Sequence, residues 1–299
     1  MNPSPQAPPA RDDPPPPQGR LDGPFVIERD GCPLHYWVAG DPSRPAVVLT
    51  HGFSMDHHLF DEQIEALARR WRVVVWDVRG HGKSQPLGDG FSIQRAAEDL
   101  LAILEREGIS ECALVGHSMG GYVAQELEFR QPWRVAALAM ISSTCFTFRQ
   151  PFALTMGAPF TVAALLMCPE ELYHRQVGLV AGVRPQVQAY AQGASRAIPR
   201  HARATIWSGI LDSYHFEPGH RLRCPLLLLD GEYDWFVAFG LIKLLVPRWM
   251  EREPGCIHRV IPDAGHNANQ DNPAFTNGAL IDFLERCFPR SARSHATAA

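Results

Sequence analysis

The sequence has few cysteines and lacks the spacings that give cysteine a structural role. Its seven cysteines lie far apart, include no Cys-x-x-Cys pair and are odd in number. This pattern argues against a disulfide framework and against a structural zinc site. We therefore expect most of them to be reduced and buried as small apolar residues. We predict neither a bound metal ion nor a cofactor.

A strong charge of one sign is also absent. The chain has 28 basic and 32 acidic residues, a net charge of −4. This charge is too small and too mixed to build the field that phosphate binding requires. We therefore expect a small-molecule substrate and no nucleic-acid partner.

Long apolar runs are scarce as well. The first 20 residues contain eight prolines and no 7–15-residue apolar run of the kind found in a secretory signal, so we expect a cytoplasmic protein. Residues 152–168 carry no charge but are interrupted by Gly157 and Pro159. They are barely long enough for a hydrocarbon core of ~30 Å. We predict a buried or substrate-facing helix there and no stable membrane span.

The order of apolar strands and amphipathic helices predicts the domain organisation. Strand and helix patterns alternate over residues 23–143 and again over 224–289, whereas helical patterns alone fill residues 144–223. Such alternation is typical of an α/β fold with a mostly parallel, doubly wound sheet. We predict a helical cap at 144–223 above the carboxyl ends of the strands, where such sheets bind ligands. We expect residues 1–22 and 290–299 to be disordered tails.

A candidate nucleophile lies between a predicted strand and a predicted helix. There the sequence reads Gly116-His117-Ser118-Met119-Gly120, and strand–turn–helix is the setting that a Gly-x-Ser-x-Gly elbow needs. Glycines two residues before and after the serine avoid collisions in so sharp a turn. We predict that Ser118 is a catalytic nucleophile.

A serine hydroxyl needs a base, and the base needs a carboxylate that fixes its tautomer. His266 follows the last predicted strand and is the candidate base, whereas we expect most other histidines to lie on the surface or in the cap. Asp234 is the preferred acid because it ends the strand after the cap. Asp230 and Glu232 in the same turn remain alternatives.

Acyl transfer also requires donors for the developing oxyanion. We expect the backbone amides of Met119, after the nucleophile, and of Phe53, after the first buried strand, to supply them. The side chains that we expect to contact the substrate are Phe53, His117, Met156, Phe160 and Trp235.

Five motifs together resemble one known family. They are His51-Gly52-Phe53, the run from Asp77 to Ser84, Gly116 to Gly121, Gly231-x-x-Asp234 and Gly265-His266. Their order and spacing resemble the α/β-hydrolase family over about residues 25–288, in particular the capped carboxylesterases, enol-lactonases, perhydrolases and carbon–carbon bond hydrolases. The resemblance implies packing roles for Arg79 and His81. It speaks against haloalkane dehalogenases and epoxide hydrolases, which need an aspartate in place of Ser118.

The sequence therefore predicts a serine hydrolase that cleaves an ester or lactone of a small to medium apolar substrate through an acyl-enzyme on Ser118. Three alternatives remain open: a carbon–carbon bond hydrolase, a perhydrolase, and a ligand receptor of this fold with weak hydrolytic activity.

Overall fold

The computed structural model describes residues 21–149, 152–234 and 241–288, with the side chains of 152–159 and 241 excepted. Nearly all of the two predicted tails lies outside these residues. The first strand begins at Asp22, inside the segment predicted as the N-terminal tail, because it pairs with the following strand from Asp22↔Val38 onward.

An eight-stranded sheet forms the centre of the molecule. Its strands are β1 (Asp22–Arg29), β2 (Cys32–Ala39), β3 (Ala46–Thr50), β4 (Arg72–Trp76), β5 (Cys112–His117), β6 (Val135–Ile141), β7 (Leu226–Gly231) and β8 (Ile257–Ile261). Their order is β1-β2-β4-β3-β5-β6-β7-β8. Strand β2 is antiparallel to both β1 and β4, and the other pairs are parallel. The predicted α/β fold with a mostly parallel sheet is confirmed.

Helices cover both faces of this sheet, which explains why its inner strands are mostly apolar. One face packs against α2 (Ile93–Arg106), α3 (Met119–Arg130) and α8 (Leu241–Arg252). The other face packs against α1 (Asp61–Ala68) and against α10 (Pro273–Cys287), which follows the short helix α9 (Ala268–Asp271). Every residue of β3 and β5 is buried as a result. The site can therefore form only where these strands end.

Between β6 and β7 the described residues form four consecutive helices, which we call the helical insertion. They are α4 (Phe152–Met167), α5 (Glu170–Ala181), α6 (Pro185–Arg196) and α7 (Arg200–Ser213). The prediction of a buried or substrate-facing α4 holds for one face only. Phe160 and Met167 are 77% and 81% exposed, whereas Thr161, Ala164 and Leu165 line a cavity.

Among the helices that the structure describes, none has both the length and the hydropathy needed to span a bilayer.

Candidate active site

The turn from β5 into α3 holds Ser118 in a strained conformation. Its φ of 50° and ψ of −116° lie outside the regions that non-glycine residues ordinarily adopt. Helix α3 begins at Met119, directly after the serine. Position 120 requires a glycine because a Cβ on Gly120 would lie 2.1 Å from the Thr50 carbonyl oxygen. The elbow therefore presents the Ser118 side chain at the carboxyl edge of the sheet.

Hydrogen bonds with β6 and with the residues just after it hold this elbow in place. The Ser118 amide donates to the Ile141 carbonyl at 2.9 Å. The Ser143 hydroxyl donates to the Ser118 carbonyl, also at 2.9 Å. The strained residue is thus fixed on both its amide and its carbonyl side, as expected where surroundings impose an unfavourable conformation.

His266 and Asp234 form a buried pair beside the elbow. His266 Nδ1 lies 3.2 Å from Asp234 Oδ1 and 3.1 Å from Oδ2. Asp234 is 1% exposed and His266 is 9% exposed. A carboxylate only accepts hydrogen bonds, so Nδ1 carries the proton and donates it. Nε2 then has a free lone pair, which is the state a general base requires.

The two alternative acids have other partners. The Asp230 carboxylate contacts Lys243 and His258. Burial acts to raise the pKa of Asp230, but the hydrogen bonds from His258 and Lys243 outweigh it and hold that pKa below its ordinary value. Glu232 is exposed and accepts a hydrogen bond from the Asp263 amide at 3.1 Å. Of the three carboxylates, the structure brings only Asp234 to His266.

Ser118 and His266 line the same cavity. Among the described residues, no hydrogen bond joins the Ser118 hydroxyl to the His266 ring. Catalytic hydrogen bonds are often long before substrate binds and shorten in the complex. The absence of this hydrogen bond therefore does not argue against His266 as the candidate base.

Two backbone amides near Ser118 are free to bind an oxyanion. The Met119 amide lies in the first turn of α3, where helix amides have no intrahelical acceptor. The Phe53 amide belongs to the loop after β3. In the part of the chain that the structure describes, neither amide has a protein acceptor. Their use as oxyanion donors remains a prediction.

His51 braces the loop that carries Phe53, a role that the sequence analysis did not assign. Its Nε2 accepts from the Val78 amide at 2.9 Å, so its Nδ1 carries the proton and donates to the Gly52 carbonyl at 2.8 Å. Burial lowers the pKa of His51, so the ring stays neutral and keeps both bonds. The His-Gly-Phe motif was the signal for this role.

Arg79 and His81 belong to the loop that follows β4 at the carboxyl edge of the sheet. The Arg79 guanidinium is fully buried and donates to both oxygens of Asp99 at 2.5 and 2.6 Å. His81 Nδ1 lies 3.1 Å from the Arg79 carbonyl, and burial lowers the pKa of His81 to about 3. Both side chains have partners away from Ser118, as the packing roles predicted for them require.

A cavity of about 420 Å³ opens above Ser118, within the ~300–1,000 Å³ range of small-molecule sites. Its walls come from the elbow, the loops after β3 and β8, and the helical insertion. The lining residues are Phe53, Ser54, Met55, His117, Ser118, Thr161, Ala164, Leu165, Cys168, Tyr173, Gln176, Val177, Val180, Ala181, Trp207, His266 and Asn267.

The residues predicted to contact the substrate fare differently. Phe53 and His117 line the cavity, whereas Phe160 faces solvent. The side chain of Met156 and all of Trp235 lie outside the described residues. His117 Nε2 donates to the His266 carbonyl at 2.9 Å, and burial holds the pKa of His117 well below its ordinary value. His117 therefore contributes a neutral ring that supports the His266 loop.

The described lining of the cavity carries no formal charge, since it contains no Lys, Arg, Asp or Glu. The sequences of residues 150–159 and 235–240 contain none either. Within residues 21–149, 152–234 and 241–288, no group of three or more His, Cys, Asp and Glu side chains is arranged to hold a metal ion.

Comparisons with known proteins agree with this architecture. A family model described as the alpha/beta hydrolase fold matches residues 45–167. The chain is 36% identical over 273 residues to the "Putative carbamate hydrolase RutD" of Variovorax paradoxus, covering 85% of this chain and 97% of that protein. A thermophilic esterase from Thermogutta terrifontis superposes with a TM-score of 0.75 at 22% identity, covering 90% of this chain and 99% of the esterase.

The enol-lactonase from Burkholderia xenovorans has a TM-score of 0.70 at 22% identity, covering 87% of this chain and 99% of the lactonase. Likeness at this level of identity shows the shared fold, and the 36% identical relative covers 85% of this chain, well beyond the residues that the family model matches. This chain is a member of the alpha/beta hydrolase family.

Proposed function

We propose that the protein is a serine hydrolase that cleaves uncharged esters or lactones of small to medium apolar acids. One observation carries the proposal. A serine on a strained elbow shares an apolar cavity with a histidine whose Nδ1 lies 3.1 Å from a buried aspartate. Serine, histidine and aspartate in these relations form the constellation used for acyl transfer on several unrelated folds.

The first half of the reaction acylates Ser118. Its Oγ attacks the ester carbonyl carbon while His266 Nε2 takes the hydroxyl proton. The carbonyl oxygen becomes an oxyanion, which accepts hydrogen bonds from the amides of Phe53 and Met119. The tetrahedral intermediate then collapses, the bond to the alcohol oxygen breaks, and the His266 imidazolium protonates the departing alcohol. Asp234 stabilises that imidazolium and remains ionised.

The second half releases the acid. Water attacks the acyl carbon and gives a proton to His266 Nε2, and the same two amides bind the oxyanion. Collapse breaks the bond to Ser118 Oγ, which recovers its proton from His266. The net reaction is ester plus water to acid plus alcohol, and for a lactone both products remain in one molecule.

The walls of the cavity support the choice of substrate. Binding apolar surface in a cleft with few polar groups is favourable, whereas a charged group that enters without a partner loses its hydration. A cavity lined by Val177, Leu165 and Trp207, with no charged side chain in its described lining, therefore suits an uncharged acyl group. The esterase and the enol-lactonase named above, which share this fold, act on the same two bond types according to their names.

Hydrolysis of 4-nitrophenyl esters with two to ten acyl carbons, followed by lactones, tests the proposal. We expect turnover of the medium-length esters and its loss in Ser118→Ala, a change that removes the nucleophile and very little volume. A strong chelator should leave the rate unchanged. More than a small percentage of wild-type activity in Ser118→Ala, with an unchanged circular dichroism spectrum, would contradict the assignment of the nucleophile.

A further inference from the structure

The loop that carries the Phe53 amide is strained at the next residue. Ser54 has a φ of 65°, in the left-handed region that a non-glycine residue adopts when its surroundings hold it there. On the sheet side, the Met55 amide closes a turn on the Gly52 carbonyl at 3.2 Å. Further hydrogen bonds to residues 54 and 56 come from the helical insertion.

Two tyrosines of the insertion hold this loop. The Tyr173 hydroxyl of α5 lies 3.0 Å from Ser54 Oγ, and both residues are buried. The Tyr190 hydroxyl of α6 donates to Asp56 Oδ1 at 2.9 Å, and the Asp56 amide lies 3.2 Å from the same hydroxyl. The insertion therefore contacts the loop one residue and three residues beyond the proposed oxyanion donor.

Tyr173 is itself fixed by charged neighbours. The Arg203 guanidinium of α7 lies 4.3 Å from the centre of the Tyr173 ring. Arg203 Nη2 donates to the two Glu170 oxygens at 2.8 and 2.7 Å. The ring is thus packed between α5 and α7, so the position of its hydroxyl follows from the packing of the insertion. A hydroxyl fixed in this way can constrain a loop that would otherwise relax.

We propose that Tyr173 is a positioning residue, whose hydroxyl holds Ser54 in its left-handed conformation and so aims the Phe53 amide at the oxyanion. The inference rests on the proposed function, because the oxyanion exists only in that reaction. It gives the insertion a second role besides forming the cavity wall. Movement of α5 away from the sheet would release Ser54 and dismantle the oxyanion site.

Tyr173→Phe tests this role, since it keeps the ring and its contact with Arg203 and removes only the hydroxyl. Loss of one oxyanion donor costs about 10²–10³ in rate, and a misplaced group can cost about 10². We expect kcat for 4-nitrophenyl butyrate to fall by about 10- to 100-fold. We expect KM to change by less than about twofold, because the interaction is made in the transition state.

Phenylboronic acid supplies a second readout. It adds to the serine oxygen and forms a tetrahedral adduct that places an oxygen at the oxyanion position, so it reports on transition-state binding. We expect its inhibition constant to rise in Tyr173→Phe by about the same factor as kcat falls. Ser54→Ala should have a similar effect. Because the two hydroxyls form one contact, the double variant should be no worse than the poorer single variant.

Tyr36→Phe is the matched control. Tyr36 is a buried tyrosine of β2 whose hydroxyl donates to Glu107 at 2.6 Å, and it does not line the cavity. We expect it to lower stability without changing kcat or boronate binding. Equal kcat values for Tyr36→Phe and Tyr173→Phe would overturn the inference. So would a raised KM with unchanged kcat in Tyr173→Phe, which is the mark of a direct substrate contact.

The outcomes also separate this inference from the proposed function. If the unmodified protein hydrolyses the ester and Tyr173→Phe does so at the same rate, only the inference fails. If the unmodified protein hydrolyses neither esters nor lactones, the proposed function fails and the inference falls with it.

Discussion

The exchange of Asp234 for asparagine tests the proposed triad most sharply. Asp234 is 1% exposed, and both of its oxygens lie 3.1–3.2 Å from His266 Nδ1. Asparagine keeps the shape but can present an N–H donor to Nδ1. The imidazole proton then moves to Nε2, which can no longer accept the serine proton. In a serine protease the same exchange costs about 10⁴ in kcat, which corresponds to roughly 5.4 kcal/mol. We expect a loss of that order here.

The neighbouring carboxylates provide matched controls from one turn. Asp230→Asn weakens the buried contacts with Lys243 and His258, and we expect it to lower the free energy of unfolding by about 1–3 kcal/mol. Its effect on kcat should remain below about tenfold, the range of indirect effects. Glu232→Gln changes an exposed carboxylate and should leave both kcat and stability near those of the unmodified protein.

The assay is steady-state hydrolysis of 4-nitrophenyl butyrate together with urea unfolding of each variant. We expect Asp234→Asn to lose kcat with little change in KM, because the interaction acts mainly in the transition state. We expect Asp230→Asn to lose stability and keep its activity. The placement of the acid would be refuted if Asp230→Asn lost most of its kcat while remaining stable and Asp234→Asn remained active. The assignments of Ser118 and His266 would not be affected.

Two further predictions concern charge. Mono-4-nitrophenyl adipate should have a kcat/KM at least about 100-fold below that of 4-nitrophenyl hexanoate, because desolvating an unpaired carboxylate costs several kcal/mol; equal values would mean that a cation reaches the bound acyl group. Burial lowers the pKa of His81 to about 3 in the folded state, whereas in the unfolded chain its pKa is about 6.5. Its neutral form therefore supports the fold above pH 6.5, and that support is lost as the pH falls toward 3. The loss should reach about 2 kcal/mol at pH 5. Urea unfolding at pH 7 and pH 5 measures this loss, and His81→Gln should reduce the difference by about that amount; an equal difference in the variant would rule out His81 as its source.

The features that the sequence predicted well depend on local order along the chain. The elbow is one, because a strand, two flanking glycines and a helix around Ser118 are contiguous in sequence. The parallel sheet is another, since strands buried on both faces are apolar along most of their length. His266 was also predictable, because the end of the last strand brings it to the same edge of the sheet.

Other features were decided only by tertiary packing. Asp230, Glu232 and Asp234 share one turn, and their tertiary contacts decide which of them reaches His266. Lys243 binds Asp230 and the loop after β8 binds Glu232, whereas Asp234 contacts His266. Sequence preference alone had left the other two as alternatives.

Helix α4 shows the same limit. It is apolar on every side, so its pattern defines no inward face, and Phe160 was predicted to contact the substrate. In the structure, the Trp207 indole donates to Thr161 Oγ1 at 2.9 Å. The same helical face continues at the i+3 and i+4 positions, Ala164 and Leu165, which line the cavity. Phe160 is left on the outer side. The sequence by itself determined the fold class and the position of Ser118 on its elbow, whereas packing between helices distant in the chain decided the cavity walls and the contact of Tyr173 with Ser54.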